Sequence, residues 1–94
     1  MEEFEVTLRA MEEPLRLRED GEVFRLIFEL NKKIGRAAAE HRELKAELVE
    51  LQAKVNGITV SLKRGEASKA RDAMDQSSRQ VRGLAQRLTP QNNL

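Results

Sequence analysis

Twelve residues between Val23 and Leu62 recur at alternating steps of four and three: Val23, Ile27, Leu30, Ile34, Ala37, His41, Leu44, Leu48, Leu51, Val55, Ile58 and Leu62. Eleven are apolar, and His41 is the one polar member. This spacing draws a single stripe along an α-helix in heptad register, with Ile27, Ile34, His41, Leu48, Val55 and Leu62 at a and the other six at d. Read without interruption, the stripe predicts one long coiled-coil helix over residues 20–64, with Asp20 as its N-cap. At about 1.5 Å per residue, residues 23–62 would make a rod of about 60 Å. Such a rod cannot bury its own stripe, so the pattern calls for a partner helix.

Two features contest the rod. Asn56-Gly57 is a turn signal, and the ITVSL that follows alternates like a strand. Because the heptad runs straight through, the helix reading is preferred. Gly65 is the better stop, with Lys63 and Arg64 in the last turn, where cations suit the helix dipole. Beyond it, Ala67, Ala70, Met74, Ser77, Val81, Leu84 and Leu88 repeat the same spacing. They predict a second, shorter helix over 66–89, ended by Thr89-Pro90 and a polar tail over 90–94. A short connection favours an antiparallel neighbour, so this helix is expected to fold back as a helical hairpin and cover about half of the rod. The remainder of the stripe would still need another chain.

Residues 1–19 form an acidic segment that fits two periods. Phe4, Leu8, Met11 and Leu15 suit a helical face, whereas Phe4, Val6, Leu8 and Ala10 suit a strand, and LRLREDGEVFRLIF resembles a hairpin around Asp20-Gly21. The preferred reading is a short helix, a break near Pro14, and then the rod. The fold class is therefore all-α.

The 94-residue chain is 39% hydrophobic and 35% charged, with three Phe and neither Tyr nor Trp, a mixture typical of long helices. Cysteine is absent, which removes disulfides and thiolate metal sites. No apolar run reaches the roughly 20 residues of a membrane span, and the acidic start is unlike a signal peptide, so a cytoplasmic location is expected. Net charge is +1 but unevenly spread. Residues 1–22 hold eight acids to three bases, and residues 63–94 hold seven bases to three acids. An acidic front and basic back would attract each other in a chain folded on itself or in a head-to-tail oligomer.

Catalytic chemistry is thinly supplied. Ser61, Ser68, Ser77 and Ser78 share one histidine, and no phosphate-binding glycine motif occurs. No enzymatic activity, cofactor or metal is expected. His41 reads as a polar a-position residue that sets register or partner number, with a pH-sensitive stripe as a corollary. The bases Lys63, Arg64, Lys69, Arg71, Arg79, Arg82 and Arg87 could meet phosphates, but Asp72 and Asp75 interrupt them and no aromatic accompanies them. Phe24, Leu26 and Phe28 widen the apolar stripe and call for a third packing partner. They are either the best candidate for a specific binding surface or internal core against the N-terminal segment or the C-terminal helix.

The sequence thus points to a non-enzymatic coiled-coil assembly or adaptor protein. It would self-associate or enter a helical hetero-complex through the 23–62 stripe together with Phe24 and Phe28. A small helical-hairpin chaperone for a client helix is the alternative, and a nucleic-acid-binding helix pair is a weaker third.

Overall fold

A computed structural model describes residues 2–88. Five α-helices follow one another: α1 (Glu2–Ala10), α2 (Glu12–Arg16), α3 (Asp20–Glu40), α4 (Lys45–Lys63) and α5 (Ala67–Leu88). Among the described residues there is no strand, so the N-terminal segment is helical. The burial pattern says why. Phe4, Leu8, Met11 and Leu15 are buried while Val6 is 57% exposed, a period near 3.6 rather than two.

α1 and α2 act as one kinked helix. Met11 N–H still donates to Thr7 O, and Leu15 N–H to Met11 O. The kink falls at Ala10–Met11 because Pro14 has no N–H for the Ala10 carbonyl and its ring crowds that carbonyl. Pro14 itself is the third residue of α2, where an N–H would have no acceptor inside α2. The segment ends at Arg18, which holds φ 59°. Arg18 N–H donates to Leu15 O, and Glu19 N–H to Pro14 O at 2.8 Å. That pair of bonds is a Schellman ending built on a residue other than glycine. α3 then opens at Asp20, one residue inside the helix rather than at its cap.

The expected continuous rod over 20–64 is instead two helices. The chain leaves the helix at His41 (φ −123°, ψ 74°), makes a 3₁₀ turn over Arg42–Leu44 and re-enters as α4. Antiparallel pairing of α3 and α4 is marked by Asn31 Nδ2 donating to Asn56 Oδ1 at 2.8 Å. His41 lies near the midpoint of the stripe, so each half buries the other. Folding within one chain avoids the entropic cost of recruiting a second.

α5 returns along α4, as expected for a helix folding back. Gly65 ends α4 at φ 73°, and Asn56-Gly57 lie inside the helix. α5 presents Ala70, Met74, Ser77, Val81 and Leu84 to the core, all buried. Its small residues let the two backbones approach. Gln80 joins the pair, its Nε2 donating to the Glu47 carbonyl at 2.9 Å and its Oε1 accepting from Lys54 Nζ at 2.8 Å.

The result is an up-down-up-down four-helix bundle whose first member is α1–α2. That member sits between α3 and α5, diagonal to α4. Glu5 and Glu12 line one groove with Arg9 and Arg82, and Glu12 lines another with Arg16, Arg71 and Asp75, so charges of both signs meet where the first member packs beside α5. The polar tail over 90–94 and the Thr89-Pro90 stop lie outside the described residues. No helix among the described residues is long and apolar enough to cross a membrane.

Candidate functional site

All eleven apolar members of the stripe, Val23, Ile27, Leu30, Ile34, Ala37, Leu44, Leu48, Leu51, Val55, Ile58 and Leu62, are buried inside this one chain. Their burial needs no other chain, because α1, α2 and α5 supply the surface that a partner helix was expected to supply. His41, the twelfth, is outside the stripe. Its side chain is 41% exposed at the chain reversal, with Nδ1 3.7 Å from Glu43 Oε2. A pH-sensitive stripe centred on His41 therefore has no structural basis in the folded chain. Leu26 is buried, Phe24 is half-buried against the core, and Phe28 is 64% exposed.

Phe28 leads to the surface on which a binding role can rest. Along α3, Phe24, Phe28, Asn31, Gly35 and Ala38 follow steps of four and three, forming a row that flanks the buried stripe. Along α4, Lys45, Val49, Gln52, Asn56, Val60 and Lys63 form the matching row. Three contacts show that the rows face each other across one groove. Asn31 bonds Asn56, Gln52 Nε2 donates to the Asn31 carbonyl at 3.4 Å, and Lys63 Nζ lies 5.9 Å from the Phe24 ring centre. The groove opens toward the chain reversal into a depression lined by Gly35, Ala38, Ala39, Arg42 and Lys45.

The chemistry of this face is uneven in a useful way. Among the described residues, Phe28, Val49 and Val60 are three of the five large apolar side chains that the fold leaves exposed, and all three belong to this face. Its charged members are cationic, and neither row contains a carboxylate. Lys32, one position outside the α3 row, holds its ammonium 5.2 Å from the Phe28 ring centre. A cation over an aromatic face is weakly attracted, so Lys32 and Lys63 are held beside the rings they flank. Glu22 and Glu29 of α3 occupy the opposite flank, where both pair with Arg25, while Asp20, one step beyond Phe24 at the far end of the row, pairs with Arg18.

The middle of the groove is polar. Asn31 Oδ1 is buried without a hydrogen-bond partner, so the Asn31–Asn56 pair fixes the α3–α4 register at some cost in stability. Phe24 and Phe28 were legible in the sequence as surplus to the stripe. Val49 and Val60 were not recognised, although two valines in an otherwise polar outer row were a usable signal. Asn31, Lys32, Asn56 and Lys63 acquire meaning only once α3 and α4 are antiparallel.

Elsewhere the described residues show shallow grooves between charged side chains. Among them no three His, Asp or Glu side chains converge as a metal site. Comparison with known protein families, curated proteins and solved structures returns no match for this chain.

Proposed function

We infer that this chain is a non-catalytic protein-interaction bundle that takes an acidic, amphipathic helix of a partner protein onto its α3–α4 face. The observation that carries the reading is the composition of that face: exposed Phe28, Val49 and Val60 ringed by lysines, with no carboxylate in either row. A groove between two antiparallel helices matches the width and length of a third helix, whose apolar residues at i, i+3, i+4 and i+7 would seat between the rows. Lys32, Lys45 and Lys63 select negative charge on its flanks and speed its approach. The small side chains at Gly35, Ala38 and Ala39 give the groove depth, which favours a helix over a flat lipid surface. This moves the binding role away from the 23–62 stripe, which is internal, and onto residues beside it.

The test uses two synthetic amphipathic peptides with the same apolar face, one flanked by Glu and one by Lys, and fluorescence anisotropy as the readout. The acidic peptide is expected to bind, more weakly as salt rises, and the basic peptide is not. Phe28→Asp and Lys63→Glu should each weaken the acidic peptide at least about tenfold, a loss of about 1.4 kcal/mol. Both positions are exposed, so circular dichroism should show an unchanged fold. Equal binding of the two peptides would overturn the reading, as would indifference to Phe28→Asp. Tight binding to phosphatidylserine vesicles with no peptide binding would assign the face to membranes instead.

A further inference from the structure

Two of the three chain reversals of this bundle, those before and after α4, are built differently. Between α4 and α5, Gly65 takes φ 73°, Gly65 N–H donates to Leu62 O at 3.0 Å, and Glu66 N–H donates to Ser61 O at 2.8 Å. This Schellman ending is written into the sequence by its glycine. Between α3 and α4 nothing comparable exists. Residues 40–45 read Glu-His-Arg-Glu-Leu-Lys, without Gly, Pro, Asn, Asp, Ser or Thr. No side chain caps the first turn of α4 or of the 3₁₀ turn before it. Glu, Arg, Leu and Lys are all strong helix formers. Local sequence therefore prefers a continuous helix here, and only the packing of α3 on α4 reverses the chain.

The heptad stripe carries the same message. It passes through the reversal unbroken, as Ala37, His41, Leu44. It is also symmetric about the point between Arg42 and Glu43. The register set by Asn31 with Asn56 and Gln52 pairs each a residue with a d residue: Ile34 with Leu51, Leu30 with Val55, Ile27 with Ile58. Two copies with residues 20–63 fully helical, laid antiparallel, would repeat these pairs in the same register. The pairing would then continue through the centre as His41 against Leu44 of the second copy.

We propose that this chain also forms a domain-swapped dimer, in which residues 40–45 become helical and a second copy supplies the α4 and α5 that pack on α3. Each contact of the closed bundle between its two halves is remade between chains, including those that build the α3–α4 face. What changes is the hinge, which gains helical hydrogen bonds missing from the reversal, and the entropy of holding two chains together. The exchange is independent of the docking role proposed above. High chain concentration and a hinge richer in helix formers both favour it.

The experiment places one cysteine on each side of the groove, as the double variant Asn31→Cys with Asn56→Cys, in a chain that has no other cysteine. After refolding from urea at micromolar and at millimolar chain concentration, the protein is oxidised and run on a non-reducing denaturing gel, alongside light scattering of the native sample. The closed bundle gives an intrachain disulfide and monomer mass. The swapped dimer gives interchain disulfides and dimer mass. The dimer fraction should rise with concentration, and His41→Ala, which raises helix propensity at the hinge, should increase it at least threefold. Inserting Gly-Asn-Gly between His41 and Arg42 should abolish it while circular dichroism shows helicity and cooperative melting retained. Monomer mass with intrachain disulfides for His41→Ala at millimolar concentration would overturn the proposal. So would a dimer whose disulfides remain intrachain.

Discussion

Lys33 Nζ donates a 2.8 Å hydrogen bond to Thr7 Oγ1, and that hydroxyl donates in turn to the Glu3 carbonyl at 2.9 Å. Thr7 is buried between α1 and α3, so one hydroxyl uses its proton and a lone pair at once. The relay fixes the azimuth of α1 on α3, where Phe4 and Leu8 alone would tolerate rotation. Thr7→Val keeps the shape of the side chain and removes both bonds. The long stem of Lys33 lets its ammonium reach water, so the expected cost is about 1 kcal/mol rather than that of a stranded charge. Urea unfolding of Thr7→Val, Lys33→Met and the double variant checks this. The double variant should lose less than the two single losses together, and strict additivity would show that the two side chains do not interact.

Two residues end helices at positive φ, and they predict effects of opposite sign. Gly65 at φ 73° has open space around its missing Cβ, so Gly65→Ala is a test of backbone conformation alone. It should destabilise by about 1 kcal/mol. Arg18 makes the same kind of turn at φ 59° with a side chain attached. Arg18→Gly relieves that strain and gives up only an exposed contact with Asp20 at 3.5 Å. The gain is expected to be about 0.5–1 kcal/mol after the added freedom of the unfolded chain is counted. Thermal melts of the two variants should shift in opposite directions. A stabilised Gly65→Ala or a destabilised Arg18→Gly would mean that contacts, not backbone preference, set these turns.

The asymmetry between those endings explains how much of the fold the sequence displayed. The helical periods were legible because burial is periodic: every apolar member of the 23–62 stripe is buried, and so are Phe4, Leu8, Met11 and Leu15. Gly65 was legible because only glycine adopts its conformation without strain. The reversal at His41 left no local mark, since Glu-His-Arg-Glu-Leu-Lys is as good inside a helix as outside one. A heptad stripe states that a partner is needed and cannot state whether the partner is another chain or its own second half. The face around Phe28 was half legible for the same reason. Its α3 row could be read, but its α4 row joins it only through the antiparallel register.

Ser77 offers a check on packing between α4 and α5. It is fully buried, yet its hydroxyl bonds only to the Ala73 carbonyl one turn back in its own helix, at 2.8 Å. That carbonyl keeps its backbone partner if the hydroxyl is removed, so Ser77→Ala strands no polar group. Alanine is also the better helix former by about 0.5 kcal/mol. Ser77→Ala should therefore be neutral or stabilising by a few tenths of a kcal/mol in chemical denaturation. Ser77→Leu adds bulk where α5 lies close to α4, and should cost about 1–3 kcal/mol. If Ser77→Ala destabilised by more than about 1 kcal/mol, the hydroxyl would be holding something besides its own helix.

One contribution to stability on the acid side comes from a bond between the ends of α4 and α5. Arg87 Nη1 donates to Glu47 Oε2, and this hydrogen bond, together with one from its own backbone amide, holds the Glu47 carboxyl below the ordinary carboxylate range. Arg16 does the same for Glu13, and Arg25 for Glu22, each within one helix. A carboxyl whose folded value lies below its unfolded value binds fewer protons in the folded state. Its contribution is present above the unfolded value, about 4.3, and is lost as pH falls through the folded one. Melting temperature should therefore fall as pH drops below about 4.3, with the loss from Glu47 complete only below its depressed folded value. Glu47→Gln should flatten that fall, lying below wild type at neutral pH and converging on it in strong acid. Arg87→Met should flatten it in part, because the hydrogen bond from Glu47's own backbone amide still favours its ionised carboxyl in the folded state. The Glu13 and Glu22 pairs link residues of a single turn, so Glu13→Gln is expected to change the slope less than Glu47→Gln, which removes a tie between two helices. Parallel pH profiles for wild type and Glu47→Gln would show that Arg87 holds α5 to α4 by its stem alone.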